Sequence, residues 1–326
     1  MKRRAFGIYA TCASLQAGAQ ALVGVRAPAR IAWISGARSD PRSAFPAALR
    51  QGLEELGRLE GRDYRIEGHL GDDSRERHDS LVTEMLRSAP DLIVTQGPVV
   101  FSVQRSGTTR PVVFAFSGNA VDAGLVASHA QPGRNLTGIS MTALELVGKR
   151  MEAVAEAIPG LRKVALVSNP GHAGERGELA ASTAAAAALG LDVEYIPFRG
   201  EAGLEPALAT ALRARCQAIC VFPDAGMMGR SERFAEFATT NRMPAVSGWA
   251  EFARRGNLMS YGPSVQQVYR RLASYVDRVL RGARPSELPV ELPTVVEHVI
   301  NLRPARAMGL AIPRSALLRA DEIIDQ

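Results

Sequence analysis

Six times in this chain a short apolar run ends in a small polar or glycine-containing loop, and a helical pattern follows. The runs are Ile31–Gly36, Asp91–Gly97, Pro111–Gly118, Lys163–Pro170, Ala218–Asp224 and Pro244–Gly248. A continuous β-branched and apolar run reads as a strand buried on both faces, which is the condition of a parallel sheet. Strand and helix in alternation predict a doubly wound parallel sheet. Three runs fall in each half of the 326 residues, a length that accommodates two ordinary domains. The fold class read from the pattern is therefore α/β, with two Rossmann-like lobes. In open sheets of this kind ligands bind outside the carboxyl ends of the strands.

The intervening helices are expected over Pro46–Gly57, Arg75–Ser88 and Val99–Ser106, then Ala143–Ala157, Arg176–Leu189, Leu204–Arg213, Ser231–Asn241 and Val265–Arg281. The first carries Ala48, Leu49, Leu53 and Leu56 on one stripe, the spacing of an amphipathic helix. Further strands are expected at Tyr64–Gly68, Leu136–Met141, Val193–Phe198 and Asn257–Gly262. Val290–Val296 and Val299–Leu302 read as extended, and a short helix is expected at Arg314–Glu322. Lobe one is placed at residues 29–140 plus 263–290, lobe two at 141–262 plus 291–326. Crossings are expected near 138–143, 259–264 and 288–296. Two lobes joined by several crossings imply a hinge that closes on a small ligand.

Charge excludes little but narrows the partner. The net charge is +6 and the pI about 9.6. Only Lys2, Lys149 and Lys163 are lysines, and the arginines are scattered along the chain. A nucleic-acid binder concentrates its basic residues on one element or face, so the expectation is a solvated surface and no nucleic-acid partner. No run of about eighteen apolar residues occurs, so no membrane span is expected. Residues 1–28 read as an export signal: a basic Met1–Phe6, an alanine-rich stretch from Gly7 to about Val25, and small residues near Ala27. Arg3-Arg4-x-Phe6 points to the twin-arginine route. Cys216 and Cys220 flank a helix-to-strand junction, where a disulfide is open but needs favourable geometry.

The strand ends supply the candidate ligand contacts. They are Ser35, Gly36, Gln96, Gly97, Ser117 and Asn119 from the first half, and Asn169, Pro223, Asp224 and Trp249 from the second. Asp224 suits a cationic group, and Trp249 suits stacking on a planar one. Helix N-termini after these loops suit a carboxylate. Each also has a plainer reading: Asn169 before Pro170 as a turn, Ser117 and Asn119 as caps, Trp249 as packing. Catalytic patterns are missing. Gly171–Gly177 reads G-x-x-G-x-x-G, not the dinucleotide G-x-G-x-x-G, and no nucleophile elbow or Walker A lysine occurs. His69, His78, His129, His172 and His298 stand at no metal or catalytic spacing, and only His172, at a strand end, invites a test. A binding protein with no cofactor and no metal is expected, not an enzyme. A sensory or regulatory protein of the same fold is the alternative, but the 30 residues before the first strand are too short for a helix-turn-helix.

From Ile31 onward the chain resembles the substrate-binding proteins of bacterial ABC importers with the type I periplasmic-binding fold, in the branch that includes tryptophan- and tyrosine-binding members. The stretches that carry this are Arg50-Gln-Gly-Leu-Glu-Glu-Leu-Gly57 with Glu60-Gly-Arg62, Gly124-Leu-Val-Ala-Ser128 with Pro132-Gly-Arg-Asn-Leu-Thr-Gly138, and Gly148-Lys-Arg-Met-Glu152. Ser260-Tyr-Gly262, Glu291-Leu-Pro-Thr294, Val299-Ile-Asn-Leu302 and Leu317–Glu322 follow in the same order. The resemblance implies a periplasmic, two-lobed, monomeric clamp that binds a small amino-acid-like or other planar or carboxylate solute. It also implies delivery to an ABC permease of the inner membrane with its ATPase. Two rims depart from the family's pattern: Gly97-Pro98 where Gly-Thr is common, and Ser117-Gly-Asn119-Ala120 where an acidic residue precedes proline.

Overall fold

The computed structural model describes residues 27–36, 44–71, 75–141, 144–170, 172 and 174–325. The expected leader, residues 1–28, lies outside these as far as residue 26. The first half runs β1 (Ala29–Ser35), α1 (Ala44–Glu55), β2 (Tyr64–Leu70), α2 (His78–Arg87), β3 (Leu92–Gln96), α3 (Val99–Arg105), β4 (Val112–Phe116) and β5 (Leu136–Ser140). Then follow α4 (Leu144–Ala157), β6 (Lys163–Ser168), α5 (Glu175–Ala188), β7 (Asp192–Pro197), α6 (Leu204–Arg213) and β8 (Ala218–Val221). After these come α7 (Ala225–Gly229), α8 (Ser231–Asn241), β9 (Ala245–Ser247), α9 (Ala250–Arg254) and β10 (Met259–Pro263). The chain closes with α10 (Val265–Leu280), β11 (Val296–Asn301), α11 (Leu302–Met308), α12 (Arg314–Leu318) and β12 (Glu322–Ile324).

Two sheets result. The first has the order β2-β1-β3-β4-β5 and is parallel throughout. The second has the order β12-β11-β10-β9-β8-β6-β7 and is parallel except where β10 meets β11. Every residue of β3 and β4 is buried, because helices cover both faces of their sheet. Successive side chains go to opposite faces. Thus Ile31 and Trp33 join Leu49, Leu53, Leu272 and Val276 on the face under α1 and α10. Ala32 and Ile34 join Val82, Met85 and Val103 under α2 and α3. Burying a leucine such as Leu49 or Leu53 contributes roughly 1.5–3 kcal/mol each.

The chain passes between the sheets after β5, between β10 and α10, and again through residues 288–296. The third passage ties the other two together. Ser140 donates its N–H to Glu291 O at 2.9 Å, Glu291 donates to Gly138 O at 3.1 Å, and Ser264 donates to Val295 O at 2.9 Å. Helix α10 lies against α1, with Arg270–Glu55 and Arg58–Asp277 pairs at 2.6 Å.

Two expectations are corrected. The terminal helix stops at Leu318, and Glu322–Ile324 adds a strand parallel to β11, guided there by the Asp321 N–H bond to His298 O at 2.8 Å. The segment Val290–Val296, read as an extended connection, makes an isolated bridge from Glu291 to Ile139 and enters β11 at Val296. Helices α7, α9 and α11 were not expected; at five to seven residues they are too short to show a 3.6-residue period. Cys216 and Cys220 are both free and buried.

Gly138, beside the first passage, has φ of +149°, and a Cβ there would stand 2.0 Å from Phe114 O. Gly138→Ala is expected to lower the unfolding free energy by about 2–3 kcal/mol, read as a lower urea midpoint at unchanged slope. Gly148→Ala, inside α4 with open space around the new methyl, is expected to raise it by up to about 1 kcal/mol.

Candidate functional site

All strands of a parallel sheet end on one edge, and here the two edges face each other. Between them lies a cavity of about 380 Å³. Ser35 and Gln96 close β1 and β3 as register partners and stand on its wall, with Gly36 and Gly97 following them. Ser117, after β4, stands on the same wall. Asn169 after β6, Asp224 after β8 and Trp249 after β9 line the opposite wall.

The other two candidates lie elsewhere. Pro223 lines a small adjoining cavity of about 30 Å³ that shares Ser117, Met141 and Trp249 with the large one. Asn119 lines neither: its Oδ1 accepts the backbone N–H of Val121 at 2.9 Å and of Asp122 at 3.4 Å. Its short carboxamide is occupied by the turn, as Asn side chains commonly are.

Several wall residues escaped the sequence reading. Phe198, Arg199 and Glu201 follow β7, an edge strand whose loop carries no glycine–polar signature at its start. Met227 and Arg230 belong to the unexpected α7 and its end, and His78 opens α2. Much of this added charge is already neutralised. Arg230 Nε lies 3.1 Å from Glu201, and Arg233 lies 2.9 Å from the same carboxylate.

Asp224 is 6% exposed and N-caps α7, its Oδ1 accepting the Met227 N–H at 2.8 Å. Trp249 is buried and meets Phe45 of α1 edge-on, with ring centroids 6.0 Å apart. Phe45 in turn stacks on Tyr269 at 5.0 Å, and Tyr269 tilts against Trp33 at 5.4 Å. Burial pushes the Tyr269 phenol far above its ordinary titration range, so it stays neutral. Behind Trp249, Arg150 and Glu178 form a buried ion pair at 2.5 Å, and Arg150 Nε donates to Tyr261 O at 3.0 Å. Such a pair is costly to break from one side, by about 3–5 kcal/mol. It holds α4, α5 and the middle of β10 in one arrangement. Burial pushes the neighbouring Cys220 thiol up to about 11, which keeps it protonated and unreactive. Among the described residues no group of three His, Cys, Asp or Glu side chains is placed to hold a metal ion.

The lobes touch each other around the cavity. Phe45 reaches Trp249, and Ser117 Oγ bonds His172 Nε2. Gly174 abuts lobe one so closely that a Cβ there would stand 2.9 Å from Ser117 O.

Residues 34–324 match the family described as ABC transporter substrate binding protein. The chain belongs to that family. Among solved structures it is similar to a conserved domain protein of Vibrio cholerae O1 biovar El Tor: 24% identity, 90% of this chain and 99% of the other, TM-score 0.83. It is similar also to an ABC domain from Streptococcus pneumoniae in complex with L-Trp: 20% identity, 91% and 100% coverage, TM-score 0.82. A third is the ligand-free, open structure of CD0873, a substrate-binding protein with adhesive properties from Clostridium difficile: 17% identity, 91% and 99% coverage, TM-score 0.64. No curated protein sequence matches the chain. The fold is that of the type I periplasmic binding proteins, two lobes each built on a parallel-dominated sheet. The family implies a small-molecule ligand and a permease partner, and its members are solute-binding proteins that work outside the cytoplasm. Among the described residues no helix is long and apolar enough to cross a membrane.

Gly174 has φ of −85° and ψ of −9°, a backbone that any residue adopts, so it is space that demands glycine there: a Cβ would stand 2.9 Å from Ser117 O across the cleft and 2.9 Å from His172 Cε1 on its own side. Gly174→Val is expected to hold the lobes apart. Small-angle scattering should give a larger radius of gyration than the wild-type protein, while the far-ultraviolet circular dichroism stays the same.

Proposed function

We propose that this protein is the extracytoplasmic receptor of an ABC importer, closing its two lobes on a small amino-acid-like solute and presenting the closed form to a membrane permease and its ATPase. The observation that carries this is the 380 Å³ cavity walled by strand ends of both lobes. Its volume lies in the range of small-molecule sites, and its walls come from two bodies joined by passages that can bend. The cavity is amphipathic. Trp249, Phe198, Met141 and Met227 give it apolar walls, Asp224 gives it a carboxylate, and exposed Arg199 stands at its rim. A zwitterion with a flat apolar side chain suits that arrangement, and the pneumococcal relative is described in complex with L-Trp. The basic, alanine-rich first residues support export, with Arg3-Arg4 favouring the twin-arginine route. The receptor acts as a monomer, and its walls bind without performing chemistry.

The test is a thermal-shift screen of amino acids and small planar carboxylates, followed by calorimetry on each hit. A bound solute raises the melting temperature by mass action. For a hit, Trp249→Ala should weaken binding at least about tenfold, the equivalent of ~1.4 kcal/mol. Asp224→Asn should do the same for a cationic or zwitterionic hit. Asparagine caps a helix as well as aspartate, so this substitution removes charge without removing the cap. Conversion of any screened compound to product, or tight binding that survives both substitutions, would overturn the proposal.

A further inference from the structure

His172 lies on the lobe-two side of the cleft and is 7% exposed. Its Nε2 bonds Ser117 Oγ of lobe one, while its Nδ1 is buried with no hydrogen-bond partner among the described residues. The Nδ1 edge faces the Cα of Gly174: a Cβ built there would stand 3.3 Å from Nδ1 and 2.9 Å from Cε1. That asymmetry decides where the ring carries its proton. A neutral imidazole has one N–H. Placed on Nδ1, it would be an orphaned buried donor, which costs about 1–3 kcal/mol. Placed on Nε2, it leaves Nδ1 as an unfilled acceptor, the milder and commoner defect.

We propose that His172 is a positioning residue for Ser117: its Nε2–H donates across the cleft to Ser117 Oγ, which turns the Ser117 hydroxyl into a hydrogen-bond donor toward an oxygen acceptor on the solute. A hydroxyl has one proton to give and lone pairs to receive with. With a lone pair taken by His172, the Ser117 proton is directed to the cavity that this residue lines. The opposite tautomer would consume that proton and present a lone pair instead, favouring an ammonium group. Asp224 is already an acceptor on the same cavity. The two walls together therefore fix the direction of a zwitterion, its cationic end to Asp224 and a carboxylate oxygen to Ser117. The bond joins residues of different lobes, so closing the lobes and setting the polarity of Ser117 are one event. This inference rests on the cavity being the solute site.

The experiment has two arms. In the first, the protein is labelled with 15N-histidine, and a long-range 1H–15N correlation spectrum is recorded alone and with excess L-tryptophan. His172 is assigned by the resonances lost in His172→Gln. A protonated Nε2 and a bare Nδ1 are expected in at least one of the two samples. A protonated Nδ1, an imidazolium or averaged tautomers in both would overturn the proposal. In the second arm, calorimetry compares L-tryptophan with tryptamine, which lacks the carboxylate. Ser117→Ala should weaken L-tryptophan at least about tenfold, as expected for a hydrogen bond to a charged group, and leave tryptamine within about threefold. His172→Gln, whose side-chain N–H₂ stands in for Nε2–H, should keep L-tryptophan within about threefold, and His172→Leu should lose about tenfold. Equal losses for both compounds in Ser117→Ala would overturn the donor role. If the wild-type protein binds neither compound, the amino-acid reading and the donor role toward it both fail, while the tautomer stands or falls on the spectrum.

Discussion

A parallel strand covered on both faces has little room for polar side chains along its length, and the rest of this molecule follows from that constraint. β3 and β4 are buried at every position. Most polar groups gather where strands stop, and parallel order puts those stops on one edge. Two sheets built this way and set edge to edge give a polar-rimmed cavity with apolar bodies behind it. The loops that end the strands themselves form its walls.

That is also why so much was legible in the sequence. The six apolar runs mark strands because burial on both faces writes them as uninterrupted apolar stretches, and their terminal residues Ser35, Gln96, Ser117, Asn169, Asp224 and Trp249 all stand on the cavity. What the sequence hides is of two kinds. Short elements such as α7 carry too few residues to show a period, so Met227 and Arg230 went unread. Side-chain commitment is invisible too: Asn119 follows a strand like the others, yet its carboxamide folds back onto Val121 and Asp122. The terminal strand β12 was hidden for a third reason. Its place is set by pairing with β11, a contact that no local pattern announces.

Helix α10 links these parts. It follows a strand of the second sheet yet packs on the first, with Leu272 and Val276 in the core under β1 and β3. The passages on either side of it are hydrogen-bonded to each other, through Ser264 N–H and Val295 O. Each lobe stays stiff, and the buried Arg150–Glu178 pair fixes the arrangement of helices in lobe two next to the cavity.

The aromatic series that runs from β1 to the cleft has an optical consequence. The chain has two tryptophans. Trp33 is sealed in the core of lobe one, where lobe motion leaves its surroundings alone, and Trp249 belongs to lobe two but meets Phe45 of lobe one across the cleft. The ultraviolet emission of the protein is therefore the sum of a constant indole and a position-dependent one. Any separation of Trp249 from Phe45 would exchange phenyl for water at the second indole alone, a red shift in half of the tryptophan fluorophores of the unlabelled chain.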